Sequence, residues 1–384
     1  MRILVSLTYY RPHVSGLTIY VERLARAWAR AGHQVTILTS RYRRDLPADE
    51  VSDGVHILRL PVALRISKGV LMPTIGLEAT RQVMTHDVLS LHLPQFDAAG
   101  IAMRGRLFRR PTVLTHHCDL RLPVGVFNGP AHAAVQLANN LAARLADAVV
   151  SYTEDYAEHS PFLARYAAKL RVIPPPVEAP ETPRPEDVAY FRSLRRGRGP
   201  VIGMAARLAS EKGVEYLLEA LPKILERHPD SQVLFAGQHQ DVLGEDDYAR
   251  RLRPALDRMA EHWTFLGVLD PHQMSAFYRA CDVTVLPSLN STESFGLVQI
   301  ESILCGTPVV AADLPGVRQP VLTTGQGRIV PLRDSSALAE KVLDLLEHRP
   351  APFDVTSLQA RHSPEAVAQR YVSLFEELRT APRR

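Results

Sequence analysis

"RILVSLTYYRPHVSGLTIYVERLARAWARAGHQVTILTS", running from Arg2 to Ser40, reads as a strand, a helix and a second strand. "RILVSL" is a short apolar run suited to a buried parallel strand, and "QVTILTS" resumes the same pattern. Between them "LTIYVERLARAWARAG" sets Leu17, Val21, Leu24 and Trp28 on one helical face and stops at Gly32. A strand, a crossover helix and a second strand are the unit of a parallel sheet covered by helices. The alternation continues through "VHILRL", "DVLSLHL", "PTVLTHH" and "DAVVSYT", with helical stretches between them.

It breaks at "RVIPPPVEAPETPRPED", where six of seventeen residues are proline and few could join a helix or a central strand. The alternation then restarts with "PVIGMAARL", a helix over "GVEYLLEALPKILERH", and strands at "QVLFAG", "WTFLG", "DVTVLPS" and "TPVVAAD". The expected organisation is therefore an N-terminal Rossmann-like domain over 1–173, a linker over 174–186 and a second such domain over 187–362. A capped amphipathic helix with a basic tail follows over 363–384, expected to return to the first domain. Each half is a doubly wound α/β unit, whose ligands bind beyond the carboxyl ends of the strands. Two such units facing each other leave a cleft lined by loops of both.

Composition excludes several classes. Hydrophobic residues at 46% and charged residues at 22% describe an ordinary globular protein, and 384 residues favour two domains. A net charge of +4 is small for this length and does not argue for nucleic acid. Cys118, Cys281 and Cys305 lie far apart with no CxxC pair, which argues for a reducing compartment and against a zinc module. "MRILVSLTYY" is too short an apolar run for a signal peptide, and no window approaches eighteen apolar residues. A cytoplasmic protein is expected. No GxGxxG follows the first strand, which disfavours a dinucleotide-dependent enzyme.

Two loops of the second half carry the chemistry. In "ARLASEKG", Arg207 follows a strand and Lys212 precedes a helix, and two cations at the carboxyl end of a parallel strand can clamp a diphosphate. Taken alone, they read as two solvated surface charges. In "ESFGLVQIE", Leu297, Ile300, Ile303 and Leu304 share a helical face, and Glu301 lies along it. An ionised carboxylate there needs a polar partner. If the stretch is wholly helical, Glu293 and Glu301 stand roughly 12 Å apart at 1.5 Å per residue. That is the order of separation between the ribose and the sugar of a nucleotide-sugar. Glu301 then accepts from ribose hydroxyls and Glu293 reaches the sugar. The amides of Phe295, Gly296 and Leu297, at a helix N-terminus, favour phosphate.

The ordered set "ARLASEKG", "FLGVLD", "YRACDVTVLPS" and "ESFGLVQIESILCGTPVVAADLPG" closely resembles the retaining glycosyltransferases of the large family four, which have the GT-B fold. Glu293 and Glu301 match that family's hallmark of two glutamates separated by seven residues, and Arg207 and Lys212 match its pyrophosphate-binding pair. "TYYRPHVSGLTIYVERLARAWARAGHQVTILT" is similar to the family's opening, with Gly16 in the loop near the donor phosphate. The resemblance spans nearly the whole chain and implies transfer of a sugar from a nucleotide-diphosphate sugar to a hydroxyl acceptor. It also implies departure and attack on the same face of the sugar, with no side-chain nucleophile. The protein's own cations would do a metal's work, so neither a metal nor a cofactor is expected.

In these transferases a histidine on the loop after such a strand often lies close to the sugar. "VLTHHCDLRLP" matches that place, and His117 is preferred to His116. His116 and Asp119 are assigned to the acceptor, as is His92, which ends the strand in "LSLHLPQFD". Satisfied structural histidines are the competing reading. Metal binding by His116, His117, Cys118 and Asp119 is disfavoured, since consecutive strand residues point to opposite faces.

Ser15-Gly16 stands where the family usually has a glycine pair, and Pro175-Pro176-Val177 where it often has Asn-Gly-Val. Glu245 to Asp247 in "GEDDYARR" are expected to be a solvated helix start. The basic stretches "RYRR", "MRGRLFRRP" and "LRRGRG" are solvated surface by default, with peripheral docking on anionic lipid as the alternative. A nucleotide-sugar 2-epimerase and a non-catalytic sugar-nucleotide-binding subunit are the rival functions on the same architecture.

Overall fold

The apolar runs of the first half form β1 (Arg2–Ser6), β2 (Gln34–Arg41), β3 (Asp49–Ser52), β4 (Val55–Pro61), a small hairpin of β5 (Leu64–Ile66) and β6 (Gly69–Leu71), then β7 (Val88–Leu93), β8 (Thr112–His116), β9 (Ala148–Ser151) and β10 (Leu170–Val172). Those of the second half form β11 (Val201–Ala205), β12 (Gln232–Ala236), β13 (Trp263–Gly267), β14 (Val283–Leu286), β15 (Val309–Ala312) and β16 (Gly327–Val330). The structure, a computed structural model, describes residues 1–66, 69–119, 128–242 and 244–381. The basic tail at 382–384 and the stretch after Asp119 (120–127) lie outside the described residues. The chain divides into two units, Met1–Val177 with Arg361–Arg384, and Glu178–Ala360.

The first unit is built on an eight-stranded sheet in the order β10-β9-β8-β7-β1-β2-β4-β3. Every pair is parallel except β3 with β4. β1 and β7 are central and buried on both faces, which is why they read as continuous apolar runs. Reversal of strand order beside β1 makes the sheet doubly wound. Helices α1 (Gly16–Arg30), α2 (Ile75–Thr85), α3 (Ala98–Leu107) and α4 (Asn128–Leu145) connect these strands. Ala79 and Val83 of α2, Ile101 and Ala102 of α3, and Ala142 and Ala143 of α4 share one core with Leu89, Leu91 and Leu114 of the sheet.

The helix Pro364–Thr380, capped by Ser363, packs on α1 within this unit. Trp28 of α1 is fully buried against Tyr371 and Phe375, and its indole N–H donates to Ala368 O at 3.2 Å. The hydroxyl of Tyr20 meets that of Tyr371 at 2.8 Å, and Tyr371 in turn meets Thr115 Oγ1 at 2.8 Å. These pairs satisfy buried hydroxyls that would otherwise destabilise the packing.

The second unit is an all-parallel, six-stranded sheet in the order β13-β12-β11-β14-β15-β16. Its order also reverses beside β11, so the carboxyl end of β11 is a switch point where ligands of such sheets bind. The helix Val214–Arg227 follows β11, and Val214, Leu217, Leu221 and Ile224 give it a fully buried face.

Candidate functional site

Arg207 and Lys212 stand in the loop that leaves β11, and the local sequence explains why the loop turns there. Gly213 has φ +67°, and a Cβ on it would lie 2.2 Å from Pro287 O. Only glycine lets the chain enter the helix Val214–Arg227 so close to the loop after β14. The amide of Leu289 donates to Glu211 O at 2.9 Å and ties the two loops together. Glu245 supports the loop from the other side, with its carboxylate accepting from Ser210 N at 2.9 Å. That corrects the expectation of a solvated acidic turn: Glu245 is buried, while Asp247 is exposed as expected.

The stretch from Glu293 to Glu301 is not wholly helical, so the 12 Å axial spacing does not apply. The helix is Leu297–Leu304, and Gly296 precedes it at φ +77°. Here a Cβ would meet Leu286 Cδ2 at 2.3 Å and Gln299 Nε2 at 2.7 Å. Gln299, almost fully buried, donates to Phe295 O at 2.9 Å and to Val317 O at 2.8 Å. This pins the turn that presents the Phe295, Gly296 and Leu297 amides at the helix start. The sequence pattern passed over Gln299 and read Glu245 as solvated, because each acts by holding backbone that is distant in the chain.

The two acids have different surroundings. Lys212 Nζ and Glu293 form an ion pair at 2.5 Å, both side chains largely buried. Arg207 lies beside Glu211 at 3.1 Å. Glu301 Oε2 accepts from the buried Tyr278 hydroxyl at 3.0 Å. Tyr278 is thus one polar partner that the apolar helical face required. The second unit brings Lys212 to Glu293 directly, with Arg207 and Glu301 on neighbouring segments of the same sheet end.

In the first unit Gly16 opens α1, where the Ser15 hydroxyl accepts from Thr18 N at 3.2 Å. A Cβ on Gly16 would meet no atom within 4 Å, so the fold itself does not demand glycine at this helix start. His116 ends β8, stacks on Phe162 at 4.4 Å and reaches Asp119 Oδ1 with Nε2 at 3.1 Å. Asp119 Oδ1 also accepts from Ser160 Oγ at 3.0 Å, and its amide donates to the Tyr156 hydroxyl at 2.7 Å. Burial pushes the Asp119 carboxyl up, but His116, Ser160 and Tyr156 outweigh it and leave it below its ordinary value.

His117 is engaged at both ring nitrogens, Nε2 with His92 Nδ1 at 2.8 Å and Nδ1 with the Tyr152 hydroxyl. His92 continues the chain from Nε2 to Ser90 Oγ at 3.2 Å. Burial holds His92 down to about 3, and burial with the neighbouring His92 and His116 holds His117 well below its ordinary value. Both are neutral at physiological pH. His92, expected to line the acceptor site, is fully buried and instead orients His117 from beneath. Its strand position is as read, but β7 is central, and its side chain points into the protein.

Among the described residues no group of three or more His, Cys, Asp or Glu comes together as a metal site. None of the described helices is long and apolar enough to cross a membrane.

Two family profiles match the chain: "Glycosyl transferase 4-like domain" over residues 15–176 and "Glycosyl transferases group 1" over 187–361. The D-inositol 3-phosphate glycosyltransferase of Acidothermus cellulolyticus is 30% identical over 363 residues, covering 86% of this chain and 78% of that protein. The phosphatidyl-myo-inositol mannosyltransferase of Mycolicibacterium smegmatis is 27% identical over 360 residues, covering 90% and 85%. Among solved structures, Anabaena HepE in complex with UDP aligns over 99% of this chain and 97% of that one, with a TM-score of 0.69 at 21% identity. Sucrose-phosphate synthase from Thermosynechococcus elongatus aligns over 98% and 96%, with a TM-score of 0.70 at 22% identity. At such identities these structures speak for the fold, which is GT-B.

Proposed function

This chain belongs to the group 1 glycosyltransferases, and from that premise we propose that it transfers a sugar from a nucleotide-diphosphate sugar to a hydroxyl acceptor, with retention at the anomeric carbon and without a metal ion. The observation that carries this reading is the Lys212–Glu293 ion pair, which joins the two motif loops at one sheet end. Arg207 and Lys212 take the diphosphate, Lys212 exchanging part of its contact with Glu293 for phosphate oxygens. The amides at the start of the helix Leu297–Leu304 add fixed positive potential where the leaving phosphate gains charge. Glu301, held by Tyr278, accepts from the ribose hydroxyls, and Glu293 contacts the sugar.

Chemistry follows from these positions. The bond between the anomeric carbon and the diphosphate oxygen breaks, and its electron pair leaves on the phosphate. The acceptor oxygen bonds to the same face of that carbon, and its proton passes to the departing phosphate. Gly16, which the fold does not require as a glycine, is read as a donor-phosphate contact. His117, neutral and fixed by His92 and Tyr152, offers an oriented ring edge to the sugar, with His116 and Asp119 on the acceptor side. Both relatives carry inositol in their names, so inositol phosphate and phosphatidylinositol are the first acceptors to offer.

Thermal-shift screening against UDP-, GDP-, ADP- and TDP-sugars identifies the donor, since a ligand at a hundred times its Kd stabilises by roughly 2.7 kcal/mol. NMR of the product with that donor is expected to give the donor's anomeric configuration, unchanged by a chelator. An inverted product, or activity that a chelator abolishes and magnesium restores, overturns the corresponding part of the mechanism. Epimerised donor formed without any acceptor replaces transfer with epimerisation.

A further inference from the structure

Helices α2, α3 and α4 form one layer in the first unit. Their inner faces share a core, and Arg104 of α3 stitches two of them by donating from Nε to Thr80 Oγ1 of α2 at 2.8 Å. Their outer faces break the rule that an exposed helix surface is polar. On α4, Leu137, Leu141 and Arg144 follow one another at helical spacing and all are exposed. On α2, the same order of positions holds Leu77, Arg81 and Met84, and on α3 Met103 and Leu107 flank Arg106. Leu77 and Leu107 are each 71% exposed and Leu137 is 72% exposed, values at which a leucine contributes almost nothing to its own fold. A single exposed leucine is ordinary, but matching stripes on three adjacent helices are not.

Charge on this layer is predominantly positive. From Ala98 to Pro111 the chain carries four arginines and no acid, and α4 carries Arg144 and no acid. Glu78, the acid within α2, is tied to Gln82 at 2.7 Å and to Arg81 at 3.4 Å. Arg109 and Arg144 are exposed and have no side-chain partner among the described residues.

We propose that the outer face of α2, α3 and α4 docks peripherally on an anionic lipid bilayer, with its leucines and methionines entering the interface and its arginines meeting lipid phosphates. Shallow apolar insertion flanked by arginine is what an interfacial surface needs, and each cation adds an attraction that salt weakens. A second copy of the chain is a poorer occupant, because a two-fold contact through this face sets like charges against one another.

The test is co-sedimentation of the full chain with vesicles of phosphatidylcholine alone or with added phosphatidylglycerol. Binding is expected only to the anionic vesicles and is expected to fall with added salt. Arg109→Glu with Arg144→Glu is expected to weaken it roughly tenfold or more, given the contribution of each cation near an anionic surface. Leu107→Ser with Leu137→Ser is expected to lower it by a similar factor. Both double variants are expected to keep the wild-type melting temperature and donor affinity, since these side chains lie outside the core. Absence of binding to either vesicle overturns the proposal, as does wild-type binding by both double variants. A dimer in sedimentation velocity that Leu107→Ser with Leu137→Ser dissociates, without vesicle binding, assigns the face to self-association instead.

Discussion

Glu293 and Glu301 are the same residue type eight positions apart, and each is held by a different residue. Glu301 accepts from the hydroxyl of the buried Tyr278, which orients the carboxylate. Glu293 is paired with a cation. Glu301→Gln is therefore expected to weaken nucleoside-diphosphate binding, because losing a charge-assisted hydrogen bond costs about 1.5–3 kcal/mol. Glu293→Gln releases Lys212 for phosphate, so nucleotide affinity should hold while turnover falls. Calorimetry with the nucleoside diphosphate, alongside turnover, separates the two; equal losses of affinity in both variants contradict these roles. Tyr278→Phe is expected to raise the nucleotide Kd by less than Glu301→Gln does and to leave kcat near wild type.

At the scale of the element, two glycines of the candidate site answer to different physics. Gly296 has φ +77°, which costs an ordinary residue roughly 1–2 kcal/mol, and a Cβ there would strike Leu286 and Gln299. Gly16 has neither constraint, and as the first residue of α1 it would tolerate alanine. Gly296→Ala is expected to lower the melting temperature and nucleotide affinity together. Gly16→Ala is expected to leave the melting temperature unchanged while turnover falls. A destabilised Gly16→Ala would show that the fold demands this glycine after all. The contact of α1 with the helix Pro364–Thr380 gives a further expectation: Trp28→Ala empties a fully buried site and should cost about 3–5 kcal/mol in chemical denaturation.

Over the whole molecule, buried neutral imidazoles fall unevenly. In the first unit His92 is held down to about 3 by burial and His362 to about 4, chiefly by burial, while His86 and His117 are also lowered with burial as the leading cause. His362 Nδ1 reaches Pro175 O at 3.0 Å, so protonation there also bears on how the end of the chain meets the proline-rich stretch. Each group takes up a proton more readily unfolded, near pH 6.5, than folded. Its contribution is therefore fully present above about pH 6.5 and is lost as pH falls toward its folded value; for His92 and His362 the loss continues to about pH 4, by about 1.4 kcal/mol per pH unit for each of the two. The two tryptophans lie one in each unit, Trp28 in the first and Trp263 in the second. Fluorescence of a Trp263→Phe variant then reports the first unit, whose denaturation midpoint should fall between pH 6.5 and 4. A midpoint constant over that range rejects neutral burial of these histidines.

The sequence alone determined the α/β alternation, the doubly wound halves and the pairing of motifs, because buried parallel strands and amphipathic helices are local patterns of apolar spacing. The family resemblance was likewise legible in short stretches such as "ESFGLVQIE" and "ARLASEKG". What each polar residue does was not local and came only with the tertiary structure. Gln299 holds Val317, and Glu245 holds Ser210, across separations of eighteen and thirty-five residues. His92 looked like a strand-end residue open to an acceptor, yet neighbouring strands and α1 enclose it beside His117. A carboxylate or an imidazole has the same sequence signature whether it meets solvent, a ligand or a buried partner. Only packing sets its dielectric surroundings and its partners, and those set its charge and its role.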